Sequence, residues 1–398
     1  MKEKLPKLIL TVALVLLVAA WIYGYMTSGF DVSSHLEEIF PGATEFKQVS
    51  NAPIVYEAYH GAELLGYAAV DSAMGYEAQV YMLVQVDTEG IIQGVRPVQH
   101  REWPTWWRML ISEEFFSQFS GKTVNADISI LKDIEAVSGA TYSSRGVAGA
   151  IRHGSHYLSK NVFGWQTPPE PAGYSFGYGE AALLLMYGLV LLAWRLRKPK
   201  LRWVTILMGI GVLGFWLKSP ITFANIAGVF IGSFPPLAGH ILWYLLILGI
   251  PALILVTGQN VYCYWICPFG GVQEVLAQVS GGAKYGVKGK VKQAASYLRH
   301  LLFWLALMAA FLTFNPAMGD YTPFSTLFGL KGGTAHWLLL PLALLVSMFS
   351  YRFWCRHFCP GMIVFDWLAL MRRKGAYWWK TRETKTQSKT LSSESQSP

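Results

Sequence analysis

The feature that most restricts this chain is a series of uncharged apolar stretches separated by short loops whose basic content alternates. Leu8 to Tyr25 is the first: 18 residues without a charge, preceded by Lys2, Lys4 and Lys7. Its apolar core exceeds the ~7–15 residues of a secretory signal and no A-x-A cleavage site follows, so an uncleaved anchor with a cytoplasmic N-terminus is expected. Five more candidate spans lie at Tyr174–Trp194, Trp203–Leu217, Ile241–Val256, Leu298–Phe314 and Trp337–Phe353. Several are shorter than the ~20 residues a crossing prefers, and the loops therefore carry the argument. Residues 195–202 hold five basic residues in eight, Glu274–Arg299 holds five basic and one acidic, and Arg352, Arg356, Arg372, Arg373 and Lys374 cluster at the end of the last span. The alternate loops near 218–240 and 315–336 carry only Lys218, Asp320 and Lys331 as charges. Basic loops stay on the cytoplasmic side. The expected fold class is a multi-pass α-helical protein of the inner (cytoplasmic) membrane with about six transmembrane helices and an α+β domain outside the cytoplasm.

Composition agrees. The 398 residues are 53% hydrophobic and only 14% charged, against about a quarter charged in soluble domains, and this excludes disorder over most of the length. The net charge of +9 does not indicate nucleic acid. Between Thr27 and Glu180 there are 18 acidic and 9 basic residues, so the basic excess belongs entirely to the membrane part. A nucleic-acid binder would gather its cations on a folded face.

Four regions are expected: an anchor at 1–26, a soluble domain at 27–173, a five-helix membrane domain at 174–375 and a disordered cytoplasmic tail at 376–398. Within the soluble domain, Val55–Val70 and Ala78–Val86 carry the β-branched and aromatic alternation of strands, while Ser112–Phe119 and Ser144–Leu158 read as helical. Pro168, Pro169 and Pro171 form a stiff connector to the membrane. Ile221–Phe234 is uncharged as well; it reads as a re-entrant or interfacial segment closed by Pro235–Pro236, because a seventh crossing there would invert every later loop.

The second half is internally duplicated. Ser219–Pro220 leads through an apolar loop, His240 and a span to Cys263-Tyr-Trp-Ile-Cys267-Pro268. Asn315–Pro316 leads through an aromatic loop, His336 and a span to Cys355-Arg-His-Phe-Cys359-Pro360. All four cysteines of the chain lie in these two motifs. They fall on the reducing side of the membrane, where structural disulfides are rare. Residues i and i+4 share a helix face, and the following proline opens the turn at the second cysteine. Two such pairs brought together offer the ligand set of an iron–sulfur cluster or a closed zinc site. A reversible dithiol and four unconnected buried thiols are the other readings.

The soluble domain contains Glu135-Ala-Val-Ser138-Gly139-Ala140-Thr141. By itself this string signals a helix N-terminus, a natural phosphate site. Taken with Gly66–Tyr67, Gly75–Tyr76, the strands ending near Asp87–Gly90 and His100-Arg-Glu102-Trp-Pro104, it resembles the FMN-binding domain of sodium-pumping quinone reductases and Rnf complexes. The resemblance implies FMN held covalently through a phosphoester to Thr141 by an ApbE-type flavin transferase. It also implies that Ser138, Gly139 and Ala140 pass close to the phosphate and that His100 and Glu102 lie over the flavin. Glu135 stands where those flavin-bearing chains carry aspartate. Across residues 35–370 the arrangement resembles the NosR/NirI family of membrane flavoproteins associated with nitrous-oxide and nitrite reduction. That family ends in a cytoplasmic ferredoxin-type domain with two further Cys quartets; no cysteine follows Cys359 here, so that domain is expected to be lacking.

His240 and His336, similarly placed in the two copies, are candidate ligands of a b-type haem, although histidines at membrane interfaces are more often simply hydrogen-bonded. Asp366 and Glu180, near helix ends, read as interfacial. The expected function is transmembrane electron transfer between a cytoplasmic-face Cys/iron–sulfur site and FMN outside. The partners implied are a cytoplasmic or membrane donor, such as a ferredoxin-like protein or a quinol, and an extracytoplasmic acceptor. The alternatives are a redox-sensing regulatory or maturation factor and a thiol–disulfide electron carrier.

Overall fold

The computed structural model describes residues 4–394 except 30, 76–77, 103, 113, 131, 138–139, 170–175, 238–239, 283–288 and 331. The chain opens with α1 (Lys4–Thr27) and a short α2 (Ser33–Ile39). Five strands follow, β1 (Glu45–Asn51), β2 (Ile54–His60), β3 (Glu63–Met74), β4 (Gln79–Val86) and β5 (Ile92–His100), then α3 (Pro104–Ser112), a 3₁₀ turn at Phe115–Phe119 and α4 (Thr141–Asn161). The strands form one antiparallel meander in sequence order. Successive side chains alternate between sheet faces. Val80, Met82, Val84 and Val86 of β4 therefore join the core beneath α4, while Leu83 joins a second core with Leu36 and Ile39 of α2. The stretch Val55–Val70, read as one strand, is a hairpin turning at Gly61 (φ +61°). The stretch Ser112–Phe119 divides between the end of α3 and the 3₁₀ turn.

α4 presses on the middle of the sheet through small residues. A Cβ on Gly146 would lie 2.7 Å from the Cα of Gly75 at the end of β3, and one on Gly149 would lie 3.0 Å from the Ala73 Cβ. Only glycine allows the helix axis so near the strand. That approach sets where Thr141, the first residue of α4, stands relative to the β3–β4 turn.

The helical half comprises α5 (Tyr178–Leu196), α6 (Pro199–Met208) continuing as a π-helical segment Gly209–Trp216, α7 (Phe223–Ile231) and α8 (Ile241–Thr257). A π-turn at Tyr262–Ile266 leads to α9 (Pro268–Val279) and α10 (Gly289–Leu312). After a 3₁₀ turn at Pro316–Gly319 come α11 (Phe324–Gly329), α12 (Thr334–Phe349), α13 (Phe353–His357) and α14 (Pro360–Glu394). Among the described residues, Lys7–Thr27, Tyr178–Leu196 and Gly289–Leu312 are long and apolar enough to cross a membrane, and α8 and α12 are shorter apolar helices of 17 and 16 residues. Leu8, Ile9, Leu10 and Val15 of α1 are each about 60% exposed, as lipid-facing side chains are. The nine residues of α7 span only about 14 Å at 1.5 Å per residue, less than half of a ~30 Å hydrocarbon core; this helix does not cross by itself.

The chain forms two compact units. One contains residues 1–173 with Phe223–Gly239 and Trp304–Tyr321; the other contains Tyr174–Thr222, His240–Phe303 and Thr322–Pro398. In the first, the Trp304 indole donates to the Ala13 carbonyl (3.1 Å), the Trp21 indole donates to the Phe230 carbonyl (3.1 Å), and the Arg101 guanidinium lies 4.8 Å over the Phe314 ring. In the second, each copy of the duplication runs from a proline-containing helix into a Cys motif and out through a helix that begins at the motif's own proline. The expected boundary at 173/174 and Pro171 of the connector lie outside the described residues. Through the stretch expected as a tail, α14 continues to Glu394.

Candidate functional site

Three of the flavin candidates, Ala140, Thr141 and Glu102, meet at the start of α4. Ala140 is its N-cap and is buried, and Thr141 follows half-buried in the first turn, where free amides and the helix dipole favour a phosphate. Ser138 and Gly139 lie outside the described residues. Two hydrogen bonds fix the chain entering this turn: the Ser144 hydroxyl accepts from the Val137 amide (3.2 Å) and donates to the Ala140 carbonyl (3.0 Å). Upstream, Gln118 holds both backbone groups of Glu135 and leaves its side chain exposed.

Glu102 is 1% exposed. One carboxylate oxygen accepts from the Ser143 hydroxyl of α4 and the other from the Ala78 amide of the β3–β4 turn (3.4 Å). Both oxygens are thus engaged inside the protein, and the carboxylate ties the helix start to the sheet. His100 ends β5 and stacks on Trp107, with ring centroids 3.8 Å apart and 14° between planes. Burial pushes its imidazole down from 6.5 to about 4, so it is neutral at physiological pH. Among the described residues its buried Nδ1 has no hydrogen-bond partner. A neutral ring with one uncommitted nitrogen, a helix N-terminus and a half-buried threonine fit a phosphate-bearing flavin.

The second site lies in the helical unit. Cys263, Cys267, Cys355 and Cys359 are all buried, and none is paired in a disulfide. Cys267 has φ −57°, ψ 119°, the extended backbone that a residue before proline prefers, and caps α9. Its sulfur lies against the amides of Phe269 and Gly270, and that of Cys359 lies against Gly361 and Met362 in the same way at the start of α14. The motifs meet at Gly270: a Cβ there would lie 3.1 Å from the Cys263 carbonyl oxygen, 3.4 Å from Arg352 Nη1 and 3.6 Å from Cys355 Sγ. Cys263 interacts electrostatically with all three other thiols. Among the described residues, however, no three His, Cys, Asp or Glu side chains converge as closely as a single metal ion requires. Four thiols buried in one region are the donor set that both a 4Fe-4S cluster and a closed zinc site use.

Polar side chains that no sequence motif marks surround this quartet. Gln273 Nε2 donates to Cys355 Sγ (3.1 Å), while its Oε1 accepts from the Trp354 amide and the Ser347 hydroxyl, both at 3.0 Å. Glu274, in the sequence no more than a loop charge, lies between two guanidinium groups, Arg352 (2.8 Å from Nε) and Arg202 (2.9 and 2.6 Å). Burial opposes its charge, but the two arginines outweigh burial and hold the carboxyl below its ordinary range. Asp366, expected at a membrane interface, accepts from Asn260 Nδ2 (2.8 Å). Glu180 caps α5, accepting from the Gly177 amide at 2.9 Å. His336 is buried in the first turn of α12 and His240 is half-buried before α8. Among the described residues no His-containing metal cluster forms.

These two sites define a class: the chain is a membrane flavoprotein of electron transport with an iron–sulfur module. Residues 75–155 match the FMN-binding domain, and residues 240–286 and 335–375, one stretch per copy of the duplication, match a 4Fe-4S binding domain. Among curated proteins it is similar to protein NirI of Paracoccus denitrificans, 28% identical over 144 residues that cover 32% of this chain and 21% of NirI. It is likewise similar to the regulatory protein NosR of Stutzerimonas stutzeri, 28% identical over 141 residues, 31% of this chain and 19% of NosR. One component of the ion-translocating oxidoreductase complex of Methanosarcina acetivorans is 28% identical over 138 residues, 31% of this chain and 73% of that component. The matched stretch spans about a fifth of the length of NirI and NosR.

Proposed function

We propose that this protein carries electrons across the inner membrane between a four-iron cluster held by Cys263, Cys267, Cys355 and Cys359 at the cytoplasmic face and FMN bound covalently to Thr141 outside. The observation that carries this reading is the pairing, in one chain, of an FMN-binding domain with a duplicated motif whose four thiols are buried together. The orientation rests on loop charge, with six crossings placing the basic loops in the cytoplasm. An ApbE-type transferase would attach the flavin at the threonine after Ala140, with Glu135 exposed on the approach. FMN supplies one- and two-electron chemistry and the cluster one-electron chemistry. The chain does the rest: Glu102 and Ser143 fix the helix start, His100 offers a neutral nitrogen, and burial keeps water from the sulfurs. A core of ~30 Å between the faces exceeds a single direct hop, so a quinone or a partner protein bridges it. The donor is a ferredoxin-like protein or a quinol, and the acceptor lies outside the cytoplasm.

The test is turnover in sealed vesicles with reductant on the cytoplasmic side and an impermeant acceptor on the other. Sustained transfer that depends on Thr141 and on the cysteines supports the reading. A second reading, a redox-sensing regulatory or maturation factor, draws on the similarity to a protein named as regulatory. It predicts a single reduction event with no turnover. A thiol–disulfide carrier would turn over without iron.

A further inference from the structure

The two Cys motifs are joined by residues at matching positions of the duplication. Three residues before the first cysteine of each motif stand Asn260 and Arg352; seven residues after the last cysteine stand Glu274 and Asp366. Each leading residue reaches the trailing residue of the other copy. Asn260 Nδ2 donates to Asp366 Oδ1 (2.8 Å), and Arg352 Nε donates to Glu274 Oε2 (2.8 Å). Each also holds the backbone of the first motif: Asn260 Oδ1 accepts from the Cys263 amide (3.0 Å), and Arg352 Nη1 donates to the Cys263 carbonyl (2.5 Å). The exchange is reciprocal, as expected of two copies related by a local two-fold relation.

The arms differ in charge. Arg352 and Glu274 are 1% and 2% exposed, and Arg202 adds a second fork on the same carboxylate, so this arm carries a net positive charge in the interior. The other arm, a neutral amide on a carboxylate, carries a net negative charge. Burying an ion pair seldom adds stability over well-packed apolar residues, whereas removing one partner is costly. Fold stability alone therefore gives little reason for this arrangement beside four thiols. A cluster bound by four thiolates becomes one unit more negative on accepting an electron, so a nearby cation favours the reduced form and an anion disfavours it.

We infer that Arg352–Glu274 and Asn260–Asp366 are a reciprocal clamp that sets the spacing of the four thiols, and that its arms bias the cluster potential in opposite directions, Arg352 upward and Asp366 downward. All four are positioning residues. The potential bias rests on the cluster reading above; the clamp does not, because it orders the thiols whether or not iron is bound.

Two measurements on the full-length protein test it. In an EPR-monitored redox titration, R352Q lowers the midpoint potential, D366N raises it and R352K restores it toward wild type. Shifts of the same sign in R352Q and D366N, or no shift, overturn the bias, since mere structural damage would not distinguish the two charges. In iron-free protein, maleimide labels the four thiols about tenfold faster in N260A and in R352A than in wild type, because local opening becomes cheaper. Labelling as slow as wild type in both variants overturns the clamp. Wild-type protein that takes up no iron on anaerobic reconstitution overturns the cluster reading and with it the bias, while the labelling comparison still decides the clamp.

Discussion

Thr141 stands half-buried in the first turn of α4, and its hydroxyl is the atom a phosphoester would use. Thr141→Val keeps the shape and removes that oxygen; the denatured protein should then lose in-gel flavin fluorescence entirely, and fluorescence that persists would refute attachment there. His100 gives a pH prediction. Its folded value near 4 lies below the ordinary 6.5, so the unfolded chain binds a proton first as pH falls. Stability of the FMN-binding domain is therefore full above 6.5, declines as pH drops toward about 4, and this contribution is constant below that. Melting followed across this range should show the slope in wild type and a shallower one in His100→Gln. Thr141 and the four cysteines stand in motifs that the sequence itself displays. Arg352, Glu274, Gln273 and Asn260 were not readable there, because their partners lie 72 to 106 residues away. The one signal available, for Arg352, Glu274 and Asn260, was an equal offset from the two motifs.

At the scale of elements, α4 and β3 depend on Gly146. An alanine there would drive its Cβ against the backbone of Gly75, and overpacking of this kind costs about 1–3 kcal/mol. Gly146→Ala should lower the melting temperature and loosen flavin binding together, whereas an unchanged melt would show that the helix can shift. Periodicity marked β4 and α4 because both bury an alternating or helical apolar face. It missed β1 and β5: β1 shows an exposed pattern with little apolar alternation, and β5 carries Gly94, Arg96 and Pro97. The hairpin at Gly61 was hidden because β2 and β3 are similarly rich in Val, Ala and Tyr. In the helical half the duplicated prolines and cysteines made the repeat legible, while α9, which carries both Gln273 and Glu274, looked like part of a basic loop. For the cysteine motifs, Cys263→Ser or Cys359→Ser should remove the iron–sulfur EPR signal of dithionite-reduced protein, and a signal that survives both would exclude these ligands.

For the whole molecule, the proposed orientation puts the flavin domain and the thiols in opposite aqueous phases, and labelling from one side of sealed vesicles should then reach one region and spare the other. The deeper claim is that a single polypeptide holds two redox groups of different kinds. Its most direct test is metal, sulfide and flavin analysis of one anaerobically purified sample. The account predicts one flavin that stays with the denatured chain, together with the iron and acid-labile sulfide of a single 4Fe-4S cluster. Zinc in place of iron, or flavin that leaves when the chain unfolds, would contradict it.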